Sequence, residues 1–139
     1  MKKRILILED EKAVCHGLTQ ALGTEPCEVV WTQTAHEALR RSLGEQFDLA
    51  VLDLDVSDMN GWKAFDLFNR LHPFLPVVML TDRPDQARRA TALGADACLE
   101  KPLDGRFAQT VKQLLAESQP ARLSRIMNSL PGHKPCSVG

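Results

Sequence analysis

A group of three acidic residues follows a short apolar segment in the middle of the chain. The segment Leu49–Leu52 ends at Asp53, and Asp55, Asp58 and the turn pair Asn60-Gly61 come next. Such a run is typical of a strand buried on both faces of a parallel sheet. Open α/β sheets bind ligands where their strands end, so Asp53 is the first candidate for a reactive group.

Three other apolar runs also stop at polar side chains. The residues at or just beyond their ends are Glu9, Asp10, Thr81 and Lys101. In a parallel sheet all these ends lie at one edge. Clustered carboxylates are oxygen ligands that suit Mg²⁺, and a lysine with a hydroxyl suits an oxygen that carries negative charge.

Strand-like runs alternate with amphipathic segments along the chain. Strands are predicted at 4–8, 27–31, 47–52, 77–80 and 97–99, and helices at 12–22, 35–43, 62–71, 85–93 and 103–117. Thr34 and Glu37 have the spacing of a helix capping box. Five alternations predict an α/β protein, with helices on both faces of a parallel sheet.

Composition indicates a globular protein with one core. The chain has 139 residues, of which 44% are hydrophobic and 25% are charged, and its formal net charge is −1. This charge excludes a global basic field that attracts nucleic acid, and no apolar run approaches membrane-spanning length. Four cysteines without Cys-x-x-Cys spacing predict free thiols, which indicate a reducing cytosol.

The end of the chain differs from the rest in charge. Residues 118–139 contain Arg122, Arg125 and Lys134 and no acidic residue. Pro120 disfavours continuation of the last helix, although 121–130 carries an apolar stripe long enough for one or two further turns. We therefore predict one domain over residues 1–117, followed by a basic, partly disordered tail or linker over 118–139.

Taken together, these segments resemble the receiver domain of two-component response regulators, including the chemotaxis regulators. The matching segments are 5–11 (ILILEDE), 48–54 (DLAVLDL), Asn60-Gly61, 76–81 (PVVMLT), 93–95 (LGA) and Lys101-Pro102. The resemblance covers about residues 1–117. It implies a flavodoxin-like (βα)5 fold, a doubly wound parallel sheet with strand order 2-1-3-4-5. That order places Glu9 and Asp10 beside Asp53.

The resemblance also implies a site. Asp53 is then the phosphoacceptor, Thr81 binds a phosphoryl oxygen and Lys101 pairs with the acyl phosphate, with a cis peptide bond before Pro102. The resemblance assigns Mg²⁺ as the cofactor and places it among Glu9, Asp10, Asp53 and the backbone carbonyl of Asp55. Asp10 is then a direct ligand, and Glu9 acts through a water molecule or as the second acid.

The function implied is Mg²⁺-dependent transfer of a phosphoryl group from a histidine kinase or histidine phosphotransfer protein to Asp53. The aspartyl phosphate would switch a protein–protein interaction surface toward a downstream protein target. The chain is then not an enzyme with an external substrate. A cytoplasmic bacterial protein is implied, monomeric or dimeric on phosphorylation, without nucleic acid or membrane as a direct partner.

Several positions depart from the family pattern. The family usually has Tyr or Phe where this chain has Cys98, so the aromatic part of its usual switch is absent. Ser57 replaces a common proline, and Asp82 replaces a common small residue. Asp55 and Arg83 have opposite charges and are predicted to pair across the mouth of the site.

Three alternatives remain open from the sequence. One is a pseudo-receiver, a protein-binding module that works without phosphorylation. The sequence Asp53-Leu54-Asp55 also matches the Asp-x-Asp signature of haloacid-dehalogenase-type phosphatases, although that family places it on the first strand. Glu9 with Asp53 and Asp55 resembles the acid set of Toprim nucleases, an alternative that leaves Thr81 and Lys101 without a role.

Overall fold

The structure is a computed structural model that describes residues 2–23 and 26–129. The strands are β1 (Lys3–Leu8), β2 (Cys27–Thr32), β3 (Leu49–Asp53), β4 (Val77–Thr81) and β5 (Ala97–Glu100). The helices are α1 (Lys12–Ala21), α2 (Ala35–Gly44), α3 (Gly61–Leu71), α4 (Pro84–Ala92), α5 (Gly105–Ala116) and α6 (Gln119–Ser129). The predicted alternation is confirmed from β1 to α5.

The strands form one parallel sheet in the order β2-β1-β3-β4-β5. This arrangement confirms the flavodoxin-like strand order. β1 lies between β2 and β3, so that Ile5 pairs with Val29 on one side and with Leu49 on the other. Because all strands run in the same direction, their carboxyl ends meet at one edge of the sheet.

Two apolar layers cover the two faces of the sheet. Every residue of β3 and β4 is buried, as expected for central parallel strands with helices on both sides. Phe65 and Phe68 of α3 belong to one layer, and Leu18 of α1 and Phe107 of α5 belong to the other. Burial of one such side chain contributes about 1.5–3 kcal/mol. These layers hold the strand ends in place.

The first turn of α2 is capped from two directions. The Thr34 hydroxyl accepts a hydrogen bond from the Glu37 backbone N–H at 3.1 Å, as the capping-box spacing predicts. The Asp58 carboxylate accepts from the backbone N–H groups of Ala35 at 2.9 Å and His36 at 3.2 Å. Asp58 therefore ties the loop after β3 to α2.

The segment after α5 differs from the predicted tail. Pro120 is the second residue of α6, a position where the missing N–H leaves no helical bond unmade. The Arg122 side chain is 5% exposed, and its Nε lies 2.9 Å from Oδ1 of the fully buried Asp96 carboxylate. Arg125 lies 2.6 Å from the same oxygen. Two of the three basic residues expected in a tail thus anchor a helix.

Other parts of that prediction remain expectations. Residues 130–139 lie outside the described residues, and a domain boundary after residue 117 stays a prediction.

No helix in the described part of the chain is long and apolar enough to cross a membrane. Cys15 and Cys98 carry free thiols, as the cysteine spacing predicts.

Candidate functional site

The ends of β1 and β3 bring three acidic side chains together. One carboxylate oxygen from each of Glu9, Asp10 and Asp53 lies within 4.8 Å of the others. Leu8 is paired with Leu52, so the residues that follow them are neighbours at the sheet edge. Glu9 and Asp53 are buried, whereas Asp10 is exposed. The predicted juxtaposition of these acids is present.

The Asp53 carboxylate is held by one hydrogen bond on each oxygen. Oδ1 accepts from the Asp55 backbone N–H at 2.9 Å, and Oδ2 accepts from Nζ of Lys101 at 3.0 Å. The side chain of Asp53 is 1% exposed and that of Lys101 is 11% exposed. Burial lowers the pKa of Lys101, but the hydrogen bond and charge of Asp53 raise this pKa above its ordinary value. Lys101 is therefore a cation at neutral pH.

Lys101 reaches Asp53 from the end of β5. Its backbone N–H donates to the Thr81 carbonyl at 2.9 Å, which joins the ends of β4 and β5. The peptide bond between Lys101 and Pro102 is cis, as the family resemblance implies.

Glu9 has a buried oxygen that lacks a hydrogen bond. Its Oε1 accepts from the Glu11 backbone N–H at 3.2 Å, but its Oε2 has no hydrogen-bond partner among the residues that the structure describes. Nζ of Lys101 is 3.6 Å from that oxygen, which is an ion-pair distance and not a hydrogen bond. Burial and the neighbouring Asp53 carboxylate raise the pKa of Glu9 to about 8.

The acid cluster fits a hard divalent cation. The ammonium group of Lys101 lies within ion-pair distance of two of the three clustered carboxyl groups, and like charges at short range are unfavourable unless a cation balances them. Oε2 of Glu9, which accepts no hydrogen bond from the described residues, is an oxygen ligand of the kind that Mg²⁺ prefers. The residues present therefore suit Mg²⁺.

The Thr81 hydroxyl is buried and makes two hydrogen bonds. Its Oγ1 accepts from the Arg83 backbone N–H at 3.0 Å and donates to Oε1 of Gln86 at 3.0 Å. The sequence pattern indicates a role for Thr81 and none for Gln86. The signal for Gln86 in the sequence is weak. It is only an amide side chain in the first turn of the helix that follows Thr81.

The loop between β3 and α3 packs tightly against the site. Asn60 caps α3 by accepting from the Trp62 backbone N–H at 2.9 Å. A Cβ atom on Gly61 would overlap the backbone of Leu54, the residue after Asp53. The pair Asn60-Gly61 is therefore the start of α3 and not only the turn that its sequence indicates. Position 61 lies so close to the Leu54 backbone that only glycine fits there.

The predicted pair between Asp55 and Arg83 is wrong for this structure. The Asp55 carboxylate accepts from the Asp82 backbone N–H at 3.1 Å, and the described residues include no ion pair between Asp55 and Arg83. The Asp82 backbone N–H in the adjoining loop already donates to the Asp55 carboxylate. This carboxylate therefore does not need the long Arg83 side chain as its partner. Asp55 thus ties two loops of the site together.

Cys98 takes the place of the usual family aromatic. It is half-buried and packs against the apolar layer of α3. Burial and the charge of Glu100 raise the pKa of its thiol to about 11. The side chain is therefore a neutral thiol at physiological pH and behaves as a small apolar group.

The family model for the response regulator receiver domain matches residues 5–114. The chain is 30% identical over 135 residues to the transcriptional regulatory protein GlrR of Escherichia coli K12, covering 94% of this chain and 30% of GlrR. It is 28% identical over 132 residues to the alkaline phosphatase synthesis transcriptional regulatory protein PhoP of Bacillus subtilis 168, covering 93% of this chain and 55% of PhoP. The chain thus spans about a third to a half of these relatives.

A solved structure is similar over most of the fold. It is a CheY-like response regulator receiver domain protein from Methanospirillum hungatei JF-1, with a TM-score of 0.77 and 32% sequence identity. The superposition covers 86% of this chain and 98% of that one. Sheet order, site geometry and these similarities agree, and the chain belongs to the response regulator receiver domain family of two-component systems.

Proposed function

We propose that this receiver domain accepts a phosphoryl group on Asp53 in a Mg²⁺-dependent reaction. The observation that carries the proposal is the buried Asp53 carboxylate, which Lys101 holds at 3.0 Å. It lies in a cluster of acids with Glu9, one oxygen of which accepts no hydrogen bond in the described part of the chain. A strand end is stable without a buried ion pair and two further acids beside it. This arrangement therefore favours a chemical role. The donor is a histidine kinase or a histidine phosphotransfer protein.

In the proposed reaction an oxygen of the Asp53 carboxylate attacks the phosphorus atom of the donor. A P–O bond to Asp53 forms while the P–N bond to the donor histidine breaks, and the imidazole keeps the electron pair. A small acyl phosphate can serve in the same way, with cleavage of its P–O bond. The product is a mixed anhydride on Asp53, which water later hydrolyses.

The protein groups orient the reactants and balance charge. The Asp55 N–H and Lys101 Nζ hold the two oxygens of Asp53, so the carboxylate has one orientation before the donor arrives. Lys101 balances negative charge on the acyl phosphate, and the Thr81 hydroxyl donates to a phosphoryl oxygen. Glu9, Asp10, Asp53 and the Asp55 carbonyl would hold Mg²⁺, whose charge would offset the repulsion between carboxylate and phosphoryl oxygens.

The reaction changes the chain itself and turns over no external substrate. In the proposed pathway the phosphorylated form binds a downstream protein differently from the unphosphorylated form, in the cytoplasm. The nuclease alternative gives no role to Lys101 and Thr81, although both residues lie at the same sheet edge as Asp53. The phosphatase alternative requires its Asp-x-Asp signature on the first strand, whereas Asp53 ends the third.

Intact-mass spectrometry after incubation with acetyl phosphate or phosphoramidate tests the proposal. We expect the gain of one phosphoryl group with Mg²⁺, no gain without it, and no gain in Asp53→Ala. Asp66→Ala, at an exposed position on α3, is the matched control and should behave as the wild type. No gain with either donor would favour the pseudo-receiver, and turnover of a phosphate ester or nicking of DNA would favour an enzyme.

A further inference from the structure

The Thr81 hydroxyl can donate to only one acceptor at a time. Its single hydrogen is directed at Oε1 of Gln86, at an oxygen–oxygen distance of 3.0 Å, while its oxygen accepts from the Arg83 N–H. Donation to a phosphoryl oxygen on Asp53 requires that hydrogen. The bond to Gln86 and the bond to the phosphoryl group therefore exclude each other.

Gln86 belongs to the first turn of α4. Its backbone N–H donates to the Arg83 carbonyl at 3.1 Å, so the loop after Thr81 and the start of α4 are joined. The side chain is half-buried, which limits competition from water for its amide oxygen. The Thr81–Gln86 bond is thus a direct link between the phosphoacceptor site and α4.

A second contact connects the same helix to α3. The Arg89 guanidinium lies over the Trp62 ring, 4.3 Å from its centroid. Gln86 and Arg89 are three residues apart and so lie on the same side of α4. One side of α4 therefore contacts the site through Gln86 and the start of α3 through Arg89.

We propose that Gln86 is a positioning residue that opposes phosphorylation. It holds the Thr81 hydroxyl in the orientation of the unphosphorylated protein, and phosphorylation of Asp53 transfers that hydroxyl hydrogen from Gln86 to the phosphoryl group. The first turn of α4 then loses its bond to the site, which alters the α4 surface. This inference rests on the proposed function, because it assumes a phosphoryl group on Asp53.

The bond between Thr81 and Gln86 matters more because position 98 is a cysteine and not an aromatic residue. An aromatic residue at that position is not available to respond to a movement of Thr81. Within residues 2–23 and 26–129, Gln86 is the side chain that receives the Thr81 hydroxyl hydrogen. The structure therefore gives α4, through Gln86, a direct connection to the state of Thr81.

Binding of beryllofluoride tests this inference, because this anion with Mg²⁺ forms a phosphoryl-like group on a carboxylate. The apparent dissociation constant is measured by calorimetry for the wild type, Gln86→Leu and Gln86→Glu. Leucine has a similar size but no acceptor, so we expect Gln86→Leu to bind about 2- to 10-fold more tightly, the effect of one neutral hydrogen bond. Glutamate keeps an acceptor oxygen, and Gln86→Glu should bind no more tightly than the wild type.

The Thr81→Val background shows whether Gln86 acts through Thr81. Valine has no hydroxyl, so Gln86→Leu should leave the dissociation constant unchanged in that background. Equal tightening in both backgrounds, or no tightening in either, would overturn the inference. Gln86→Met is a second variant without a strong acceptor if Gln86→Leu folds poorly.

The two proposals fail in different ways. If the wild-type protein neither binds beryllofluoride nor gains a phosphoryl group on Asp53, the proposed function is wrong and the inference falls with it. If the wild type does both, and Gln86→Leu matches it, only the role of Gln86 is wrong.

Discussion

Nζ of Lys101 lies 3.0 Å from Oδ2 of Asp53 and 3.6 Å from Oε2 of Glu9, so one buried cation faces two buried carboxylates. Asp10 adds a third carboxylate at the rim. One ammonium group cannot balance all three carboxyl groups, and the raised pKa of Glu9 reflects the cost of ionising it beside Asp53. Such an arrangement favours binding of an additional cation.

Replacement of Lys101 should slow phosphorylation of Asp53. Lys101→Met removes the cation that pairs with Asp53, and loss of one such charge-stabilising donor costs about 10²–10³ in rate. The rate of mass gain with acetyl phosphate and Mg²⁺ measures the effect. Lys63→Met, at an exposed position on α3, is the control and should keep the wild-type rate. An equal rate in Lys101→Met would contradict the role proposed for Lys101.

Mg²⁺ should stabilise the folded protein. At a free concentration ten times its dissociation constant, a ligand that binds only the folded state adds about 1.4 kcal/mol. For a domain of this size the expected increase in Tm is about 3–6 °C. Differential scanning fluorimetry with and without Mg²⁺ measures it. Asp10→Asn should reduce the increase, and an undiminished increase would place the cation elsewhere.

Gly61 and Gly17 should respond oppositely to alanine. A Cβ atom at Gly61 overlaps the Leu54 backbone, whereas a Cβ atom at Gly17 has no atom within 4 Å. We expect Gly61→Ala to lower the free energy of unfolding by about 1–3 kcal/mol through overpacking. Gly17→Ala, inside α1, should raise it by about 0.5–1 kcal/mol. Urea denaturation measures both, and a neutral Gly61→Ala would mean that the loop beside Asp53 relaxes freely.

Arg122 should contribute more to stability than Arg125. Arg122 pairs with the fully buried Asp96 carboxylate and also donates to the Pro73 and Leu75 carbonyls at 3.1 and 3.2 Å. Arg122→Met should cost about 1–3 kcal/mol, because it removes one of the two cations that pair with Asp96 and the donor to the buried Leu75 carbonyl. Arg125 is 34% exposed, so Arg125→Met should cost less. Equal losses in urea denaturation, or none for Arg122→Met, would mean that α6 is not held by Arg122.

The interaction of Glu117 with Arg125 should make stability depend on pH. The Glu117 carboxylate accepts from Arg125 Nε at 2.8 Å and from Nη2 at 2.7 Å. This bonding lowers the pKa of Glu117 below its ordinary value of 4.5, although burial acts in the opposite direction. Because the folded-state pKa is depressed, the stabilisation is present above the ordinary value and is lost as the pH falls through the folded-state value.

A comparison of wild type with Glu117→Gln tests this dependence. We expect the difference in the free energy of unfolding to be constant near neutral pH and to shrink as the pH falls below 4.5. In the Arg125→Met background the difference should lose its pH dependence. A difference that grows on acidification would reverse the sign of the proposed interaction.

Local sequence patterns sufficed for the elements and for the acids at the sheet edge. Apolar runs such as Leu49–Leu52 and amphipathic segments reflect the burial of each element, and burial is determined largely by residue type and period. The family resemblance then supplied the strand order, which brought Glu9, Asp10 and Asp53 together. Each of these inferences depends on residues close in the sequence, or on a fold already known.

The partners of individual side chains depended on the tertiary structure. The bond from Thr81 to Gln86, the Asp55 contact with the Asp82 backbone and the burial of Arg122 against Asp96 join residues whose proximity results from packing and loop geometry. Arg122 illustrates the reason, because an arginine in a basic segment predicts exposure unless a buried acid lies within reach. The sequence does not show that Asp96 and Arg122 are close in space, because their contact depends on the position of α6 beside the folded sheet.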